Sequence, residues 1–337
     1  MSSIMTNASA MTALQSLSAT NKALQTTQGR ISTGFRVAEA SDNAAYWSIA
    51  TTMRSDNNVN SVVQDALGLG SGKVDTAYTA INNALTAVDK IKKNVLLAKN
   101  VGPEQRAKLQ TEIDTYVAQL KDAIGGANYA GSNLLQTDSS KDTANPTATP
   151  PVAESNHFSI ISSYNRDSTG VVSTGSIDIA LKNVRLIDDV TPAAGPPVVA
   201  KSGILDKKGH ASDVSLLNIK VDDLTGVKAR DAADAVIATP TESQAFDALL
   251  TDVETVLASM ADAASELGAA KARIDMQKDF VSKLMDSIDR GVGQLVDADM
   301  NKESTRLQAL QVQQQLGIQA LSIANSNSQN ILSLFKG

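Results

Sequence analysis

Two stretches near opposite ends of this 337-residue chain place apolar residues at alternating intervals of three and four. In the first, Ala10, Leu14, Leu17, Asn21, Leu24, Gln28, Ile31 and Phe35 wind one stripe along a helix. In the second, Leu307, Leu310, Gln314, Gly317, Leu321, Ala324, Ser328 and Ile331 keep the same rhythm, beside a further stripe of Ala309, Val312, Leu316, Ala320 and Ile323. A helix with two apolar stripes needs more than one neighbour. The pattern predicts that the two arms pair as a coiled coil and then meet other copies of the chain, with Asn21, Gln28 and Gln314 fixing register at some cost in stability. Burying one seam offsets only part of the entropy of ordering an arm of this length. The arms are therefore expected to be mobile in the isolated chain and to order when neighbours cover their second stripes.

Composition narrows the remaining possibilities. Aromatic residues make up only 3%, so packing depends on small and aliphatic side chains, which long helix bundles tolerate best. The absence of cysteine removes disulfides, thiolate chemistry and cysteine-based zinc sites. Of the net charge of −6, residues 1–40 and 301–337 each carry +2, leaving −10 for residues 41–300. An acidic middle without a basic arm argues against nucleic acid as a partner. No apolar run approaches the roughly 20 residues needed to span a bilayer, so no membrane insertion is expected. The start, Met1 to Met11, lacks the basic and continuous apolar regions of a secretory signal, so export is expected to use another route.

Along the chain, the helical pattern pauses at Gly34, and Val37 to Asn57 is polar and irregular, with Ser41-Asp42-Asn43 placed to cap a new helix. Val74, Tyr78, Ile81, Leu85, Val88, Ile91 and Val95 then form a helical stripe ending near Asn100. Gly102-Pro103 opens a shorter helix carrying Leu109, Ile113, Val117, Leu120 and Ile124, stopped by Gly125-Gly126. Thr137 to Ala153 reads as an exposed loop. His157 to Tyr164 and Ser176 to Ile187 read as hairpin strands, Pro192 to Pro197 as a crossing, and Val214 to Val221 as a further strand. Thr241 with Gln244 forms a capping box ahead of a stripe running from Phe246 to Ile288, which ends at Gly291 and Gly293. At about 1.5 Å per residue that helix is a rod of more than roughly 60 Å. The expected fold class is mainly α with a smaller β-rich insertion.

No catalytic or metal site emerges. Gly68-Leu69-Gly70-Ser71-Gly72-Lys73-Val74 resembles a phosphate loop superficially, but the motif's first glycine falls on Leu67 and its last hydroxyl on Val74, so a flexible helix junction is the better reading. His157 and His210 have no acidic motif at ligand spacing. Asp297, Asp299 and Glu303 read as helix-capping carboxylates, since a calcium loop with its glycine is missing. Met276, Met285 and Met300 read as core filler. No cofactor is implied. An enzyme with a catalytic insertion at 138–240 is the alternative of a different class, and nothing there supplies an acid, base and nucleophile at recognisable spacing.

Three segments carry a family resemblance: Ile31-Ser32-Thr33-Gly34-Phe35-Arg36-Val37, Ser41-Asp42-Asn43-Ala44-Ala45-Tyr46-Trp47-Ser48-Ile49-Ala50, and the Gln-rich run from Leu307 to Ala324 with Asn330-Ile331-Leu332-Ser333-Leu334-Phe335. Together they resemble bacterial flagellin, the subunit of the flagellar filament. Tyr46-Trp47 and Val296-Asp297-Ala298-Asp299-Met300 are similar to its α-proteobacterial, rhizobial-type branch. The resemblance implies a hairpin-shaped subunit, with an inner coiled-coil domain from residues 1–40 and 294–337 and a helical wall domain from 41–137 and 241–293. The variable outer insertion is then 138–240.

It also implies an extracellular filament used for swimming, self-association with other flagellins as co-subunits, and type III export through the export gate. A chaperone at the C-terminal arm, a filament cap and hook-junction proteins are the implied partners. A hook-filament junction protein shares the paired arms, but the 41–50 segment favours the filament subunit. In flagellins sensed by the vertebrate Toll-like receptor, the first wall helix presents Arg, then Glu three residues later, then Leu. The matching positions here are Lys90, Lys93 and Asn94, which implies weak recognition.

Overall fold

The computed structural model describes residues 7–139, 142, 156–167, 169–190, 201–230 and 234–336, with side chains described as far as 326. The chain is mainly α. Helices α1 (Ala8–Thr33), α2 (Ala44–Ala98) and α3 (Pro103–Gly125) are followed by short strands, and then by α5 (Glu242–Val296) and α6 (Met300–Lys336). The chain divides into two compact units, Met1–Val59 with Lys283–Gly337, and Asn60–Ser282. Both 55-residue helices, α2 and α5, contribute to each unit.

The second unit holds most of the apolar core. Leu67, Val74, Ile81, Val88, Ile91 and Val95 of α2 are fully buried, as are Ile113, Leu120 and Ile124 of α3 and Phe246, Met260, Leu267 and Ile274 of α5. These positions follow helical spacing, so one face of each helix is removed from water. Charged side chains flank the seam between α2 and α5 in matched order: Asp75 with Lys271 at 2.5 Å, Lys92 with Glu254, and Lys99 with Asp247 at 2.5 Å. A step up α2 is answered by an equal step down α5, which marks an antiparallel register. Lys271, read from sequence as part of the apolar stripe, lies at its edge and reaches Asp75. The Thr241–Gln244 capping box is present: Gln244 Oε1 accepts from Thr241 N at 2.9 Å and Thr241 Oγ1 accepts from Gln244 N at 3.4 Å.

Helix α2 starts earlier than the periodicity predicts. Asn43 Oδ1 accepts from the backbone N–H groups of Ala45 and Tyr46, both at 3.2 Å, and the helix runs unbroken through Gly68, Gly70 and Gly72. The glycine cluster is therefore not a junction. Packing overrides its low propensity, because a Cβ at Gly70 would sit 2.6 Å from Ile160 Cδ1 and one at Gly72 would sit 2.7 Å from Tyr129 Cζ. Gly68 has open space around it. Gly68→Ala should accordingly raise stability by about 0.5–1 kcal/mol, whereas Gly72→Ala should lower it by about 1–3 kcal/mol through overpacking. Thermal denaturation of the two variants checks the opposite signs.

Beyond α3 the described strands form three two-stranded pairs. β1 (Gln136–Thr137) runs parallel to β4 (Ile187–Asp188), β2 (His157–Arg166) antiparallel to β3 (Val172–Ala180), and β5 (Ala229–Arg230) antiparallel to β6 (Val236–Ile237). The β2–β3 hairpin carries an irregularity between Ile161 and Ser163. Three expectations are corrected here. The second strand of the hairpin starts at Val172 and stops at Ala180, because Leu181 and Val184 bury themselves on one turn of helix, α4 (Leu181–Val184). Val214 to Val221 contains a 3-10 turn at Leu216–Asn218 instead of a strand: Leu216, Ile219 and Val221 are buried, with Asn218 N donating to Ser215 O at 2.9 Å. Met276 and Met300 are exposed, Met276 about half a turn away from buried Ile274 and Met300 at the start of α6. Of the predicted loop 137–153, residues 140, 141 and 143–153 lie outside the described residues, as does the Pro192 to Pro197 crossing.

A polar cluster closes this region. Arg185, fully buried, donates from Nη1 and Nη2 to Asp142 Oδ2 and Oδ1 at 2.7 and 2.6 Å, from Nε to Thr137 Oγ1 at 2.8 Å, and from Nη1 to Ser202 Oγ at 2.8 Å. Burial alone would raise the Asp142 carboxyl, but the hydrogen bonds from Arg185 and Asn156 hold it below the usual carboxylate range. Asp188 accepts from Ser139 N and from Ser202 N, each at 2.9 Å. Burial pushes Asp206 up, and its Oδ1 has no hydrogen-bond partner.

Candidate assembly interface

The first unit is built around α1 and α6. Asn7 caps α1 through Oδ1, which accepts from Ala10 N at 3.0 Å, and Gly34 ends it with φ 76°, a left-handed conformation that suits glycine. Asp299 caps α6, its Oδ1 accepting from Asn301 N at 3.1 Å and Lys302 N at 3.2 Å. The Lys302 N–H holds the Asp299 carboxyl below its ordinary value. Glu303 does not cap: its Oε1 meets Arg30 Nη1 at 3.2 Å, across the pair.

The helices pack against each other and run antiparallel. Asn7 Nδ2 donates to Ala324 O at 2.9 Å, Leu17 lies over Gly317, Gln314 Nε2 donates to Asn21 Oδ1 at 2.8 Å, and Phe35 bridges Asp297. Arg36 N and Val37 N both donate to Val296 O, and Ala298 N donates to Gly34 O, so the chain leaves α1 and enters α6 through a small β clasp. Beneath it Val37, Ala50, Val292 and Val296 form a buried cluster with Phe35 and Met53 against it, and Arg54 stacks 4.6 Å from the Phe35 ring.

On α6, Leu307, Leu310, Gln314, Gly317, Leu321 and Ala324 face the partner helix. On α1 the facing positions are Ala10, Ala13, Leu17, Thr20, Leu24, Thr27 and Ile31. That stripe shares Ala10, Leu17, Leu24 and Ile31 with the predicted one but replaces the intervening layer. Leu14, Asn21 and Gln28 are exposed. Two frames of three-four spacing fit the same helix, and small Ala13, Thr20 and Thr27 admit a close approach where a Cβ at Gly317 would already sit 3.2 Å from Leu17 Cδ1. Asn21 still makes its contact to Gln314 from the rim. The side chain of Ile331 lies outside the described residues.

Little of the pair is buried. Thr27 is the one buried residue of α1, and among the described residues of α6 only Glu303 and Leu310 are buried. The Arg30–Glu303 bond is single, leaving Arg30 Nε and Glu303 Oε2 buried without partners. Meanwhile Met11 and Leu14 line an open groove along α1, and Val312, Leu316, Ile318 and Ile323 stand exposed on α6, with Leu316 at 58% and Ile323 at 66%. Two helices that leave this much aliphatic surface in water, while burying so little between them, form an incomplete core.

The three receptor-related positions differ among themselves. Lys90 places its ammonium 5.2 Å from the Tyr116 ring, Lys93 is exposed and pairs with Asp89 at 2.7 Å, and Asn94 is buried, donating from Nδ2 to Glu112 Oε2 at 3.1 Å. Among the described residues no group of three or more His, Cys, Asp or Glu could hold a metal, and no helix is long and apolar enough to cross a membrane.

Sequence reasoning missed Arg30–Glu303 and the Arg185 cluster. The first is detectable as opposite charges at matching heights of the two seams. The second has no sequence signal, since its members come from five separated chain points.

Comparison with known proteins agrees with this geometry. Residues 4–140 match the model for the bacterial flagellin N-terminal helical region, and residues 250–335 match that for the C-terminal helical region. A flagellin of Brucella melitensis is 48% identical over 337 residues, and flagellin C of Rhizobium meliloti is 43% identical over 336, each comparison covering the whole of both chains. Flagellin A of Rhizobium meliloti is 40% identical, again with both chains fully covered. Paired terminal helices with exposed second stripes, joined to family matches at both ends and full-length identity near one half, place this chain in the bacterial flagellin family.

Proposed function

We propose that this chain is a structural subunit that polymerises into the extracellular flagellar filament used for swimming, and that the outward stripes of α1 and α6 are the surfaces neighbouring copies cover. The observation that carries the reading is the incomplete core of the terminal pair: aliphatic rows on both helices, with only Thr27, Glu303 and Leu310 buried among their described residues. Residues Leu14, Leu17, Asn21, Leu24, Gln28, Ile31, Phe35, Leu307, Leu310, Gln314, Leu321 and Ile331 form the polymerisation seam. Those of them that hold α1 to α6 set its shape, and exposed members such as Leu14 reach the next copy. Residues 1–40 and 294–337 make the inner domain, 41–137 and 241–293 the wall, and 138–240 the outer insertion. The subunit passes the type III export gate with a chaperone on its C-terminal arm, then adds between the hook-junction proteins and the filament cap. No catalysis is assigned to it.

Replacing Leu316 and Ile323 with glutamate tests the assembly surface. Both are exposed, so helix content and melting of the single chain should be unchanged, while sedimentable polymer should be lost at concentrations where the parent assembles, because each charge would be buried without a partner. Unimpaired polymerisation of the double variant would remove α6 from the interface.

For the Toll-like receptor, Lys93 reverses the charge of the family's Glu and Asn94 is turned into the protein, so purified subunit should stimulate receptor-expressing cells only weakly. Strong stimulation at low concentration contradicts this assignment.

A further inference from the structure

With no cysteine in the chain, methionine is the side chain through which a peroxide acts on sulfur here. The described methionines range from buried to exposed, with Met53 and Met285 half-buried. Met260 is fully buried, while Met11 and Met276 are 64% and 65% exposed. Each of these two lies beside a large exposed apolar neighbour on its own helix, Leu14 for Met11 and Phe280 for Met276. Met300 is also exposed, but it stands among Asp299, Asn301 and Lys302 at a capped helix start.

We propose that Met11 is an oxidation site that switches off the assembly competence of the free subunit, a reading that rests on the assembly function above. The oxidant is a peroxide. The thioether sulfur attacks one peroxide oxygen, the O–O bond breaks, a sulfur–oxygen bond forms, and the released oxygen leaves as water after proton transfer through solvent. Sulfur loses two electrons and the peroxide gains them. The product places a polar, hydrogen-bond-accepting sulfoxide beside exposed Leu14, on the face that a neighbouring copy covers. Once a copy covers Met11, that thioether is out of reach, so the switch acts before incorporation and spares finished polymer.

The test uses full-length subunit treated with hydrogen peroxide, followed by peptide mass mapping and measurement of the critical concentration for polymerisation. Met11, Met276 and Met300 should oxidise well before Met260, and the critical concentration should rise by about tenfold or more. The Met11→Leu variant, alone or as the Met11→Leu/Met276→Leu double variant, should polymerise normally and keep doing so after the same treatment, whereas Met276→Leu or Met300→Leu alone should give no protection. Methionine sulfoxide reductase should restore the oxidised parent, and Met11 in preformed filaments should resist oxidation. Oxidised parent that assembles at the unchanged concentration, or a double variant that fails as the parent does after treatment, overturns the proposal. If untreated parent never polymerises, it is the assembly reading that fails.

Discussion

A chain cut back to residues 60–282 should fold and form no filaments at any concentration. The retained unit carries its own core, with Leu67, Ile81, Ile91, Ile113, Leu120, Ile124, Phe246, Leu267 and Ile274 all fully buried within it. It also keeps the ion pairs between α2 and α5. That core is built from α2, α3 and α5, so the melting temperature should stay within a few degrees of the parent's main transition. What is lost is every exposed aliphatic row of the terminal helices, and with it the large apolar burial that association requires. Electron microscopy and circular dichroism decide the matter together: ordered polymers of the truncated chain would place assembly elsewhere, and an unfolded product would deny the second unit its independence.

The largest single-residue effect on stability is expected at Arg185. Its guanidinium is fully buried and satisfied by Asp142, Thr137 and Ser202, so Arg185→Leu leaves the Asp142 carboxylate and two hydroxyls without their donor. The cost should be about 3–5 kcal/mol, the range for breaking one side of a buried pair. Adding Asp142→Asn should return part of it, because the orphaned charge is then gone. The two variants also differ in acid. Asp142 has a folded-state pKa below its unfolded value, so in the parent it adds stability above the unfolded value, near 4, and loses it as pH falls through the depressed folded value. Arg185→Leu should reduce that part of the acid dependence, leaving the share due to the Asn156 hydrogen bond. Asp206 works in the opposite sense, since its raised carboxyl favours the folded state at low pH and gives up that contribution as pH rises through the folded value.

Helical spacing made much of the fold legible before any coordinates: α3, the α5 stripe with its capping box, and the inward face of α6 are where periodicity puts them. The failures have physical causes. Heptad spacing alone admits two frames on α1, and the one with the bulkier residues puts Leu14, Asn21 and Gln28 where the folded pair turns the smaller Ala13, Thr20 and Thr27 inward. Three glycines within five residues of α2 suggested a break, yet contacts from Ile160 and Tyr129, brought in from distant segments, give Gly70 and Gly72 a packing role. Val214 to Val221 shows the hydrophobicity of a strand, but its apolar residues enter the core through a 3-10 turn. Arg185 meets its partners only after the chain has folded, so local sequence holds no trace of the cluster. The second stripe of α6 was legible from spacing as well: Val312, Leu316 and Ile323 keep the helical rhythm beside the first stripe, and all three stand exposed in the single chain.

The central claim is that α1 and α6 complete their core only between copies. Hydrogen exchange followed by mass spectrometry, on dilute subunit and on assembled filament, tests it most directly. The account predicts that amides of residues 8–33 and 301–326 exchange far faster in the subunit than those of α2 and α5 around Ile91 and Ile274, and gain strong protection on assembly. Protection of the terminal helices in the free subunit equal to that of the second unit's core, with no change in the filament, would contradict it.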